Sequence, residues 1–191
     1  MTHFSRARLN YIQPHHLSEA EDHITFEETD AAGRATITFV ARKPCLRVKP
    51  AKRHPVSWSR HQKCADGAII EFKDQTSVLH IVELKKHINT GNWGDAKKQF
   101  AGMLVNALAL GGALGVGEFN EVIAYVAFQR DDLTATETSS TISLKSETGT
   151  GKHLLPDGDD WREGKVDLLH FPKVSLVKIQ LDEKAHATHP L

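Results

Sequence analysis

Asp66 and the tripeptide Glu83-Leu84-Lys85 are the residues of this sequence best suited to chemistry. Two runs rich in β-branched and apolar residues carry them. The first is Asp66-Gly67-Ala68-Ile69-Ile70-Glu71-Phe72, and the second is Val78-Leu79-His80-Ile81-Val82-Glu83-Leu84-Lys85. The polar Lys73–Ser77 segment between them predicts an antiparallel hairpin turning near Asp74–Gln75. That turn sets Asp66 opposite Glu83, where directly paired Cβ atoms lie about 4.5–5.5 Å apart. Glu83 and Lys85 are two residues apart and share a face, whereas His80 points to the other. A one-residue slip would turn one acid away.

Two facing carboxylates repel unless a cation or a proton lies between them. Oxygen ligands alone suit a hard ion such as Mg²⁺, for which Mn²⁺ is a substitute. An ion held this way polarises a phosphoryl oxygen and lowers the pKa of a bound water. A neighbouring ammonium can orient that water or stabilise charge developing at phosphorus. The chemistry implied is hydrolysis of a phosphodiester.

The surrounding elements are read from periodicity. Ser18-Glu19-Ala20-Glu21 has the form of a capping box, which predicts a short helix. Residues 24–41 read as a hairpin turning at Asp30–Gly33, with its second strand near 35–41. Asn89–Gly94 reads as a loop. Ala96, Phe100, Met103, Leu104, Ala107 and Leu108 fall on one helical face and predict a helix over 95–110, with Asp95 in its first turn. Val122–Phe128 is a buried strand. Residues 131–165 form a long polar excursion with a weak strand at Thr141–Leu144. Leu168–Phe171 and Val174–Leu181 supply a last strand or two, split by Pro172, and the end is a loose tail. The expectation is one domain over 1–191, with a core at about 18–128, a peripheral extension at 129–181 and a flexible tail at 182–191.

Asp66, sixteen residues, then Glu83-x-Lys85 resembles the motif of the PD-(D/E)XK nuclease superfamily, which includes restriction endonucleases and Holliday-junction resolvases. The order of elements also resembles that superfamily's core. The resemblance implies an α/β fold with a restriction-endonuclease-like αβββαβ core, in which helices flank a central mixed β-sheet. It implies Asp66, Glu83 and the backbone carbonyl of Leu84 as metal ligands, and Lys85 as the catalytic lysine. Gln99 matches a glutamine that some members carry on the helix after the motif, and Glu19 or Glu21 would be an assisting acid on the first helix. Ala65 stands where the superfamily has proline. Residues after 130 match nothing in the pattern.

Residues 42–63 contain Arg42, Lys43, Arg47, Lys49, Lys52, Arg53, Arg60 and Lys63, with Trp58 among them and no acid. Lysine and arginine here suit phosphates, and Trp58 suits stacking on a base. A solvated loop has the same composition. The whole chain carries 24 basic and 24 acidic residues and no net charge, which excludes a uniformly basic coat. Cys45 and Cys64 are too few for a disulfide scaffold and fit a reducing compartment. The His15-His16 and His186/His189 pairs lie near the ends, and no H-E-x-x-H occurs. Gly149-Thr150-Gly151-Lys152 is not a phosphate loop, because Ser146 and His153 stand where a Walker motif needs Gly and Ser or Thr. No nucleotide cofactor is expected.

The N-terminal MTHFSRARLNYIQ lacks an apolar signal. The most apolar segment, Ala101–Gly117, is shorter than the roughly 20 residues that span a bilayer. A cytoplasmic protein without membrane association is expected. The reading is therefore a Mg²⁺-dependent endonuclease acting on DNA, with a homodimer as a plausible assembly. Its rivals are a non-catalytic nuclease-like domain that binds nucleic acid or protein, and an RNA-directed nuclease.

Overall fold

The computed structural model describes residues 4–30, 33–50, 59–73, 76–137 and 158–191. Its strands are β1 (Leu17–Ala20), β2 (His23–Asp30), β3 (Gly33–Val40), β4 (Cys45–Val48), β5 (Gly67–Lys73), β6 (Thr76–Ile88), β7 (Glu121–Asp131), β8 (Lys165–Leu168), β9 (Phe171–Gln180) and β10 (His186–Pro190). The helices are α1 (Thr90–Leu114), α2 (Asp132–Glu137) and α3 (Gly158–Glu163), and a 3-10 helix spans Arg6–Tyr11. Seven strands form one mixed sheet in the order β1-β4-β5-β6-β7-β9-β8, and β10-β3-β2 form a second sheet.

β6 is central, and every residue from Ser77 to Leu84 is buried. Its two faces serve different layers. Leu79 and Ile81 pack with α1 residues Trp93, Phe100, Met103 and Leu104. Val82 and Leu84 pack with Ile24, Phe26, Ile37 and Phe39 of the three-stranded sheet. The protein is thus a three-layer α/β body, with the large sheet between a long helix and a small sheet. The Asn89 side chain accepts a hydrogen bond from Asn92 N and starts α1, and Gly115 ends it in the left-handed conformation at φ 77°. Asn89 and the residues up to Gly94 are therefore the cap and first turn of the helix, not a loop. No helix among the described residues is long and apolar enough to cross a membrane.

The expected hairpin register is present, with Gly67 opposite Val82 and Ala68 opposite Ile81. Several other expectations are corrected. Ser18–Glu21 does not open a helix: Leu17–Ala20 pairs antiparallel with β4, so sheet pairing outweighs the local capping pattern. The strand at 33–40 is not part of the large sheet; β2 and β10 occupy its two edges. The strand beside β5 is instead β4, which lies inside the basic run.

Pro172 does not split the last strands. It lies within β9, ahead of the pairing with β7 that begins at Ser175, so its missing N–H leaves that ladder intact. The break falls at Leu169, which has φ 53°. Because β9 joins the large sheet, the segment expected to be peripheral completes the core. Residues 186–190 are not a loose tail but pair in parallel with β3, continued by Leu191 N to Val40 O at 3.1 Å. The expected strand at Thr141–Leu144 lies outside the described residues.

Candidate active site

β5 begins one residue after Asp66, and β6 runs on past it, so a notch opens beside Glu83 and Leu84 where the ladder stops. Asp66 fills the notch. Its N–H donates to Glu83 Oε2 at 3.2 Å, and its Oδ2 accepts the N–H of Leu84 at 2.8 Å. In a strand, the N–H and C=O of one residue point to the same side, so the Leu84 carbonyl also faces Asp66. Lys85 Nζ donates to Glu83 Oε1 and, at 2.9 Å, to Gln99 Oε1 on α1. Asp66, Glu83, Lys85 and Gln99 therefore form one hydrogen-bonded cluster, on the face of the sheet that carries α1.

The segment leading to Asp66 is held against α1. Ala65 N donates to Gln99 O at 3.1 Å, Gln99 Nε2 to Cys64 O at 3.5 Å, and Asn106 Nδ2 to Cys64 Sγ at 3.3 Å. Proline at position 65 would lack the first of these donors, which gives Ala65 a physical reason to stand there. A Cβ on Gly102 would lie 1.7 Å from Lys63 O, so only glycine permits this approach. Gln99 thus positions both the lysine and the chain bearing the first acid. Gly102 and Asn106 are supports that sequence reasoning missed. Their signal was a glycine and an amide on the sheet-facing side of an apolar helix.

Glu83 is completely buried and Asp66 is 8% exposed. Burial, followed by the nearby Asp66 carboxylate, pushes the Glu83 carboxyl up to about 8, although Lys85 pulls it down. Glu28 of β2 contributes in the same upward direction. It follows Ile24 and Phe26 in the inward register of its strand, and an acid in that register is a signal that sequence reasoning passed over. Glu19 and Glu21, the expected helical acids, are exposed on and after β1, and Glu19 pairs with Arg6 at 2.9 Å.

His80 lies on the opposite face, as its spacing predicts, between Tyr125 Oη at 3.1 Å and Glu71 Oε2 at 3.2 Å. Burial lowers its pKa despite the neighbouring Glu71, and its partners place it in the packing between the sheets. Cys45 and Cys64 are free thiols, each raised to about 11 by burial.

The basic run divides. Arg47 and Lys49 line a cleft of about 360 Å³ that includes Asp66. Arg42 and Lys43 precede β4, whose Cys45 end pairs with Glu71, at the far end of β5 from Asp66. Lys63 binds Asp95 of α1 at 2.7 Å, and Arg60 is exposed. Lys52, Arg53 and Trp58 lie outside the described residues.

Among the described residues, no group of three or more His, Cys, Asp or Glu side chains stands ready to hold a metal. The donors at the notch are two carboxylates and one backbone carbonyl, all oxygen, which is the set a hard divalent ion takes while keeping several waters. A buried carboxylate with a strongly raised pKa beside a second carboxylate is also a site short of positive charge, so the residues fit such an ion. In comparisons with protein-family models, curated proteins and solved structures, nothing matches this chain.

Proposed function

We propose that this chain is a metal-dependent phosphodiester hydrolase of the PD-(D/E)XK type, acting on DNA. The observation that carries the reading is the convergence of Asp66, Glu83 and Lys85 on one notch, with Gln99 holding the lysine. The run β5-β6-α1-β7 supports a restriction-endonuclease-like core in its order and pairing, whereas the first helix of that core is replaced by strands.

Asp66, Glu83 and the Leu84 carbonyl would hold Mg²⁺ or Mn²⁺. Bound there, the ion supplies Lewis-acid polarisation of a phosphoryl oxygen and a water of lowered pKa. Glu83 gives up its proton as the site fills, because a ligating carboxylate must be ionised. Two of the three Lys85 ammonium hydrogens are directed to Glu83 and Gln99, and the third is left to hold the attacking water. As charge builds on phosphorus the same ammonium would stabilise it, beside the wholly buried Glu83.

The test is cleavage of single-stranded and plasmid DNA, with RNA in parallel, in Mg²⁺ or Mn²⁺ and with EDTA. Wild type is expected to cut only with metal, and Lys85→Ala to cut about 10²–10⁴-fold more slowly. Lys85→Ala cutting at the wild-type rate contradicts the reading. Binding without cleavage in either metal makes the domain a nuclease-like binding module, and cleavage of RNA alone reassigns the substrate.

A further inference from the structure

We propose that the strand enters the site as single-stranded DNA, gripped in a recess by Arg47 and Lys49; this inference rests on the nuclease reading above. The cleft that ends at Asp66 has Arg47 and Lys49 on one side and Thr25 and Thr29 of β2 on the other. A second cleft of about 160 Å³ shares Arg47 and Lys49 and adds His15 and His16. The first opens on the small-sheet face, where Arg47 meets Thr25 and Phe26, and reaches the acid cluster only at Asp66 in the notch; the second continues it across β4. Arg47 is fixed in it, with Nη2 bonded to Thr25 O at 2.5 Å and the guanidinium 5.3 Å over the Phe26 ring, while its buried Nε has no partner. Glu27, the other acid on the cleft, is matched by Arg34 at 2.6 Å.

Size and shape decide between strands. A space of about 360 Å³ is at the low end of the roughly 300–1,000 Å³ that takes a small molecule, so it accepts a nucleotide unit and not a duplex. Proteins that read duplexes place a helix or ribbon into a groove about 12 Å wide. Here Arg47 lies within a recess with Lys49 at its exposed rim, and the acids they lead to are almost wholly buried. A single strand can bend into that recess. A basic groove that tracks the backbone is the usual means of holding one.

The experiment is fluorescence anisotropy in EDTA, with a labelled oligothymidylate and a labelled hairpin duplex of equal length. Single-strand binding is expected to be at least tenfold tighter. For single strands, each phosphate contact contributes about 0.7 to the slope of log affinity against log salt. Lys49→Ala, an exposed change, should therefore lower the slope by about 0.7, and Arg47→Ala with Lys49→Ala by about 1.4. Lys165→Ala, on the opposite edge strand β8, should leave it unchanged. A duplex bound as tightly as the single strand, or a Lys49→Ala slope equal to wild type, overturns the inference. Because nothing is cut in EDTA, these outcomes are independent of cleavage. Groove-dependent single-strand binding with no cleavage in either metal would refute the nuclease reading alone.

Discussion

Replacing Glu83 with glutamine should remove a pH dependence from the stability of the metal-free protein. In the unfolded chain this carboxyl ionises near 4.5, whereas in the fold burial and Asp66 hold its proton to about 8. Between those values the native state binds one proton more than the unfolded state, so stability falls as pH rises. The slope from this one group is about 1.4 kcal/mol per pH unit, and from pH 5.5 to 7.5 the loss comes to about 3 kcal/mol. Glutamine mimics the protonated acid and does not titrate. Urea unfolding in EDTA at several pH values measures the difference, because every other titrating group is common to both proteins. Wild type and Glu83→Gln should be similar near pH 5.5, and the variant should be the more stable by about 3 kcal/mol near pH 7.5. Parallel pH profiles would refute the burial and charge argument.

Three further substitutions probe the supports. Gly102→Ala forces the chain at Lys63 away from α1 and should destabilise by at least the ~1–3 kcal/mol of overpacking, with loss of cleavage because Asp66 rides on that segment; an unchanged urea midpoint would contradict the close approach. Gln99→Ala removes the acceptor of Lys85 and a donor to Cys64. It should lower kcat more than it weakens DNA binding, at a stability cost of about 1 kcal/mol per hydrogen bond, and equal falls in both would argue against positioning. Asn89→Ala strips the α1 cap and should cost about 1 kcal/mol in urea unfolding without changing the salt slope of DNA binding.

The hairpin that pairs position 66 with position 83 was legible because both strands are apolar and the polar turn fixes their register. The α1 face was legible for the same reason, since Ala96, Phe100, Met103 and Ala107 repeat at helical spacing and all are buried. β1 was not legible. Ser18 and Glu21 satisfy a local rule, and only pairing with β4 reverses it. Nor was β10, whose short sequence HATHP gains its strand conformation from the exposed edge of β3. The basic run looked uniform in composition, yet strand direction sends Arg47 and Lys49 toward Asp66 and leaves Arg42 and Lys43 at the other end. Sequence spacing gave the residues that meet across one hairpin. It could not give those brought in by sheet order, such as Glu28.

On the proposed reading, a divalent ion at the notch displaces the proton that burial holds on Glu83. Calorimetric titration of the apo protein with Mn²⁺ at pH 7, in buffers of different ionisation enthalpy, measures that exchange directly. With burial holding a proton on Glu83, binding should release up to one proton per site, and Glu83→Gln should release almost none. Absence of Mn²⁺ binding, or binding with no proton release by the wild type, would contradict the account.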